Sequence, residues 1–151
     1  MPRSLAIALV FVASALAPAV GHADKGEVSL GAGAVLRWPR AAGGELGARL
    51  GVGDFLAIDA RVGGGMTSAH GLGYAEGGVV ALFDVLTWVP ELRLAVGAEL
   101  QGGDVSPVAH ATLGLRRFLT ADVSTALEAG GAWTPHEWRG TLGLTFWFAV
   151  L

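Results

Sequence analysis

The most constraining feature of this chain is an alternation of apolar and polar residues that persists to its end. In Trp138 to Leu151, read as WRGTLGLTFWFAVL, positions Leu142, Leu144, Phe146, Phe148 and Val150 are apolar, while Arg139, Thr141, Gly143 and Thr145 are polar or glycine. A period of two is the signature of a β-strand whose faces meet different surroundings. Phe146, Trp147 and Phe148 together make an apolar end that a soluble protein rarely leaves on an edge strand, where it invites pairing with other chains. The stretch reads as membrane-directed.

The same alternation recurs upstream in segments of nine to twelve residues separated by Gly, Pro and Asp clusters, the length a tilted strand needs to cross a bilayer. Eight strands are expected: Glu27 to Trp38, Glu45 to Gly53, Phe55 to Gly63, Tyr74 to Phe83, Glu91 to Gln101, Val108 to Phe118, Asp122 to Ala132, and the terminal stretch. Residues 39–44, 64–73, 102–107 and 133–137 are expected to be connections at one end. Gly64 to Gly73 would be the longest and most mobile of these, and the best place for a ligand contact. Pro90 is expected outside paired structure or on its margin, because it has no N–H to donate.

Composition agrees with a membrane strand protein. The 151 residues are 52% hydrophobic with 24 Gly and only 15% charge, and the mean hydropathy of +0.54 is high for a soluble globule. Beyond residue 20 no apolar run approaches the roughly 18 to 20 residues of a spanning helix. With no basic run and a single Lys, Lys25, nucleic acid is not an expected partner. Absence of Cys excludes disulfides, thiolate metal sites and a lipid-modified Cys anchor. No cofactor or metal is expected.

Residues 1–23 read as a secretory signal peptide: Arg3, then apolar Leu5 to Ala17, then small residues that offer cleavage after Ala19 or, preferably, after Ala23. Residues 24–151 would be one barrel domain, with nine basic and thirteen acidic residues.

Eight antiparallel strands with short connections imply an all-β, up-and-down barrel, since closure leaves no unpaired backbone edge. Either a membrane barrel or a soluble lipocalin-like binder of an apolar ligand fits that count, and charge parity separates them. Glu27, Arg37, Glu45, Arg49, Asp59, Arg61, Glu76, Glu91, Arg93, Glu99, Arg116, Glu128 and Arg139 share the polar face of their strands. Facing lipid, a mid-depth Arg costs about 2–4 kcal/mol; facing a lumen, these groups pair and fill it. Aromatic residues at strand ends favour the membrane alternative, because membrane barrels carry two interfacial girdles. One girdle is expected from Trp38, Tyr74, Trp133 and Trp138, the other from Phe55, Phe83, Trp88, Phe118 and the Phe146 to Phe148 group.

Three short pieces carry a family resemblance. GLTFWF, with Gly143, Phe146 and Phe148 on one spacing, resembles the C-terminal assembly signal of bacterial outer-membrane barrels, although the chain continues through Ala149, Val150 and Leu151. RRFLTADV, Arg116 to Val123, and FDVLTWVPEL, Phe83 to Leu92, are similar to turns of small Gram-negative outer-membrane barrels of the OmpA and OmpW type. The resemblance implies a bacterial outer-membrane location, lipid and lipopolysaccharide as surroundings, and periplasmic chaperones and the barrel-assembly machinery as partners. It implies a structural role or a minor small-solute or ion path.

The alternative within that class is a lipid A acyl hydrolase or acyltransferase, in which a His activates a Ser. Ser68, His70, Ser106, His110 and His136, with Asp104 and Glu137 nearby, are the weak candidates. Their spacings match no strand motif of either enzyme type, and rims collect polar residues. The expectation is therefore no enzyme activity.

Overall fold

The computed structural model describes residues 26–38, 41–67, 69–83 and 88–150. The expected signal peptide and Ser68 lie outside the described residues. Eight strands follow one another: β1 (Val28–Trp38), β2 (Ala41–Gly53), β3 (Leu56–Thr67), β4 (Gly71–Leu82), β5 (Trp88–Gln101), β6 (Asp104–Phe118), β7 (Val123–Trp133) and β8 (Trp138–Ala149). Each pairs antiparallel with the next, and β1 closes on β8 from Ser29↔Ala149 to Trp38↔Gly140. Hydrocarbon offers a backbone no hydrogen-bond partner, so a closed ring of strands is one of the two ways a chain can cross it.

The two faces are inverted relative to a soluble barrel. Leu46, Val62, Leu94, Val96, Leu113 and Leu127 stand half or more exposed on the outside, whereas all six lumen arginines are buried. Register enforces this sorting, because side chains directly opposite each other share a face. Leu50 faces Ile58 and Leu46 faces Val62 outside, while Arg49 faces Asp59 and Arg61 faces Glu76 inside. The molecule is a transmembrane eight-stranded barrel, not a lipocalin-like cup.

Every expected strand is present, but most of the expected loops shrink. Residues 41–44, 64–67, 71–73 and 104–107 are strand, so the connection expected over Gly64 to Gly73 reduces to residues 68–70. Glycine clusters were the signal for loops, yet here glycine serves a tightly curved wall. A Cβ on Gly43 would lie 2.6 Å from Gly65 Cα, and one on Gly65 would lie 2.9 Å from the Ala42 carbonyl carbon. Between strands, Gly102 and Gly103 need glycine for the backbone itself, with φ of 61° and 99°. That is the signature of a two-residue type I′ hairpin.

Pro90 lies within β5, opposite Leu115 of β6. Its carbonyl accepts from the Phe83 N–H on the β4 side, just past the last β4–β5 pair, Leu82↔Glu91. The missing N–H therefore points to β4 at the very end of that ladder, where only the reciprocal bond to the Phe83 carbonyl is forgone.

Three girdle assignments are corrected. Tyr74 is only 6% exposed and Phe118 only 7%; both point into the lumen. Trp147, expected at the rim with its neighbours, is 1% exposed and also inside. Each lies on the inward parity of its strand, and parity overrides position along the strand. Trp38, Phe55, Phe83, Trp88, Trp133 and Trp138 are exposed at the two ends, as are Phe146 and Phe148.

Two measurements check this architecture. Membrane-fraction protein should migrate differently on a gel before and after boiling. Leu94→Arg, which puts a cation on the lipid-facing wall, should lower unfolding stability in liposomes by about 2–4 kcal/mol.

Candidate functional site

The lumen is layered from the end that holds the two strand termini to the end that holds the β1–β2, β3–β4, β5–β6 and β7–β8 connections, called here the terminal and loop ends. At the terminal end Ala57, Val80, Leu82, Val89 and Phe118 form a buried apolar cluster on the β3 to β6 side of the lumen. Above it lies the Trp147 ring. Its benzo edge rests where Gly31 and Gly47 have no side chain: a Cβ there would come within 2.7 and 2.8 Å of Trp147 Cε3 and Cη2. The guanidinium carbons of Arg49, Arg61 and Arg116 stand 4.4, 5.4 and 5.6 Å from its centre, in the range of cation–π attraction.

Charged groups form the middle layer. Asp59 accepts from Arg61 Nε at 2.9 Å and from Arg93 Nε at 2.9 Å, with Arg49 Nη2 at 3.6 Å. Arg61 also reaches Glu45 at 2.9 Å and Glu128 at 2.6 Å. Glu91 is shared by Arg49 at 3.1 Å and Arg116 at 3.3 Å. Gly114 leaves room for Glu91 and Glu128, whose Cγ atoms would sit 2.8 and 3.1 Å from a Cβ at that position. Six buried lumen arginines thus meet six buried carboxylates, Glu45, Asp59, Glu76, Glu91, Glu99 and Glu128. A neutral balance matters here, because an unpaired charge taken out of water costs several kcal/mol.

Toward the loop end, Arg37 stacks 3.7 Å from the Tyr74 ring centre. The Tyr74 hydroxyl donates to Glu45 at 2.9 Å. Gly63 gives that ring its space, since a Cβ there would come within 2.5 Å of its Cε1. Arg93 reaches Glu76 at 2.9 Å. His110 sits beside this pair, Nδ1 3.3 Å from Glu76 and Nε2 3.0 Å from Thr141 Oγ1. Glu99 then accepts from Arg37 at 2.8 Å and from Arg139 at 2.6 Å. Arg139 continues to Gln101 at 2.9 Å and to Glu137. Glu27 lies apart at the terminal end, where Ser29 donates to it at 2.8 Å.

Above Arg139 the lumen opens into a vestibule of about 550 Å³ lined by polar groups, among them His70, Asp104, Ser106 and His136. Three catalytic candidates, His70, Ser106 and His136, therefore share a space, while His110 is held in the layer below. Among the described residues none of these histidines is hydrogen-bonded to a serine, and no group of three His, Asp or Glu side chains is arranged to hold a metal. His70 instead belongs to its own turn, its backbone N–H donating to Thr67 Oγ1 at 2.8 Å and its carbonyl accepting from the same hydroxyl.

Two residues escaped the sequence reading. Trp147 could have been found from its odd position beside Thr145 and Arg139. Arg117 could not, because it lies on outward parity at the terminal end of β6, opposite Trp88, with its guanidinium 5.2 Å from that ring.

No family model and no curated protein matches the sequence. Solved structures do. The N-terminal β-barrel domain of Pseudomonas aeruginosa OprF is similar with a TM-score of 0.67 at 14% identity, over 83% of this chain and 98% of that one. Neisserial surface protein A gives 0.65 at 13%, over 82% and 96%. A de novo designed transmembrane β-barrel gives 0.60 at 18%, over 85% and 99%. The chain thus has the fold of the small eight-stranded outer-membrane barrels, the class its terminal segment and turns resemble. The designed relative underlines that this likeness is one of architecture.

Asp59→Asn should lower unfolding stability by about 3–5 kcal/mol, because it leaves buried arginines without their shared carboxylate. Asp122→Asn, in an exposed turn, should stay within about 0.5 kcal/mol of the parent. Denaturant titration in detergent or liposomes measures both.

Proposed function

We propose that the chain is a bacterial outer-membrane protein with its loop end facing outward, and that its role is structural, with a lumen closed to solutes rather than a conducting or catalytic one. One observation supports this above the others. Successive layers of ion pairs, the Trp147 ring and the apolar cluster of Phe118, Val80, Leu82, Val89 and Ala57 occupy the lumen beneath the vestibule. An eight-stranded barrel is only wide enough for its interior to be filled by side chains. The apolar layer adds a dry barrier, which opposes ion passage even where charges line the rest of the route. On this reading the outward-facing Phe146 and Phe148, with Gly143, serve recognition by the assembly machinery, periplasmic chaperones carry the unfolded chain, and lipid and lipopolysaccharide surround the wall.

Purified protein in a planar bilayer should show no stable nanosiemens-scale openings. Phe118→Ala combined with Trp147→Ala, which removes the Trp147 ring and the aromatic member of the apolar cluster, should produce a measurable small conductance. Large stable openings from the unmodified protein would overturn the closed-lumen reading, and altered lipid A in cells expressing it would overturn the non-catalytic one.

A further inference from the structure

One of the six lumen arginines lacks what the other five have. Arg37, Arg49, Arg61, Arg93 and Arg139 each donate to at least one carboxylate. Arg116 donates to none: its Nε stands 3.3 Å from Glu91 Oε2 but out of line for a hydrogen bond, and Nε and Nη2 are buried without an acceptor among the described residues. Register explains the shortage. Arg116 lies between Val89 on β5 and Ala126 on β7, and neither side chain has a polar atom to offer. Yet Arg116 is only 2% exposed, and buried N–H groups are seldom left unmatched.

Two more side chains bring unused donors to the same place. Arg49 Nη1 donates to that same Glu91 oxygen at 3.1 Å, while its Nε and Nη2 find no acceptor among the described residues, Asp59 lying 3.6 Å from Nη2. Trp147 Nε1 is likewise buried without an acceptor among them. The benzo edge of its ring rests on Gly31 and Gly47 in the β1–β2 wall, which turns the opposite edge, with the N–H, toward the bore. The guanidinium carbons of Arg49 and Arg116 lie 4.4 and 5.6 Å from the ring centre. Two buried cations thus share one carboxylate oxygen, and the charge balance that holds for the bore as a whole does not hold in this layer. Glu91 Oε1, the spare acceptor nearby, is turned toward Gly114, where a Cβ would lie 3.1 Å from it.

We propose that Arg49, Arg116 and the Trp147 N–H bind one small monovalent anion, of the halide class, inside the lumen. The donor set selects it. A water held there would need acceptors for its own two hydrogens, whereas an anion needs donors alone, and guanidinium N–H groups give it charge-assisted bonds. A single charge is enough, since one cation of the layer is unmatched, and Glu91 and Glu128 on the Gly114 side oppose a multivalent anion. The ion is enclosed as the strands close around it, so it is a resident of the packed bore and not a solute in passage. The site does not depend on which end of the barrel faces outward.

The test is refolding of the full barrel in detergent with sodium chloride, bromide or gluconate at equal ionic strength, followed by urea unfolding. A ligand that binds only the folded state raises the unfolding midpoint saturably, and both halides should do so relative to gluconate. Trp147→Phe keeps an aromatic ring and removes the N–H; it should raise the half-saturating halide concentration at least roughly tenfold. Arg116→Met should abolish the halide increment, and Asp122→Asn, in the exposed turn after β6, should keep it. Crystals of bromide-refolded protein should show anomalous scattering beside Arg49, Arg116 and Trp147. Equal midpoints in halide and gluconate for the parent, or the same increment in Trp147→Phe and Arg116→Met as in the parent, would overturn the proposal, as would the absence of bromide from that position in parent crystals. If Arg116→Met does not refold, seen as loss of the heat shift on a gel, Trp147→Phe decides alone.

Discussion

The need to hide every backbone N–H and C=O from hydrocarbon governs this molecule. A ring of eight antiparallel ladders meets that need, and the ring then determines where all else can go. Closing so few strands leaves a bore that side chains must fill. Lipid outside demands apolar residues there, so charge has only the bore to occupy. The arginine and carboxylate network is therefore as much a consequence of closure as the apolar belt is.

Filling the bore sets a second requirement, that charges removed from water balance and touch. Asp59 is the carboxylate that meets the most arginines, Arg49, Arg61 and Arg93, and the network runs from it toward the loop end. Glycines on the inner face decide where bulk can stand: Gly31 and Gly47 admit Trp147, Gly63 admits Tyr74, and Gly114 admits Glu91 and Glu128. Small residues on the outer face act in the opposite sense and leave a groove beside Trp138.

Much of this was legible from residue order. Period-two patterning located all eight strands, and it assigned each of the lumen charges to its face, because alternation depends on no partner. Strand ends were less legible. Gly43, Gly65 and Pro107 read as loop by composition, but they are strand because the curved wall brings neighbouring backbones close, or because the lost N–H faces no partner. Tyr74, Phe118 and Trp147 were misplaced at a rim for a related reason: nearness to a strand end was allowed to outweigh parity.

Residue order settles the class of fold, the identity of the inner and outer faces, and the balance of charge between them, since all three are properties of local alternation and composition. Which arginine meets which carboxylate, that Trp147 and Phe118 point into the bore, that three of the histidine and serine candidates share a vestibule without forming a pair, and that β6 overruns β7 came from the closed fold alone. Those depend on ladder register and on contacts between strands as far apart as β2 and β8, and nothing in the chain's local order encodes a distance across a closed ring.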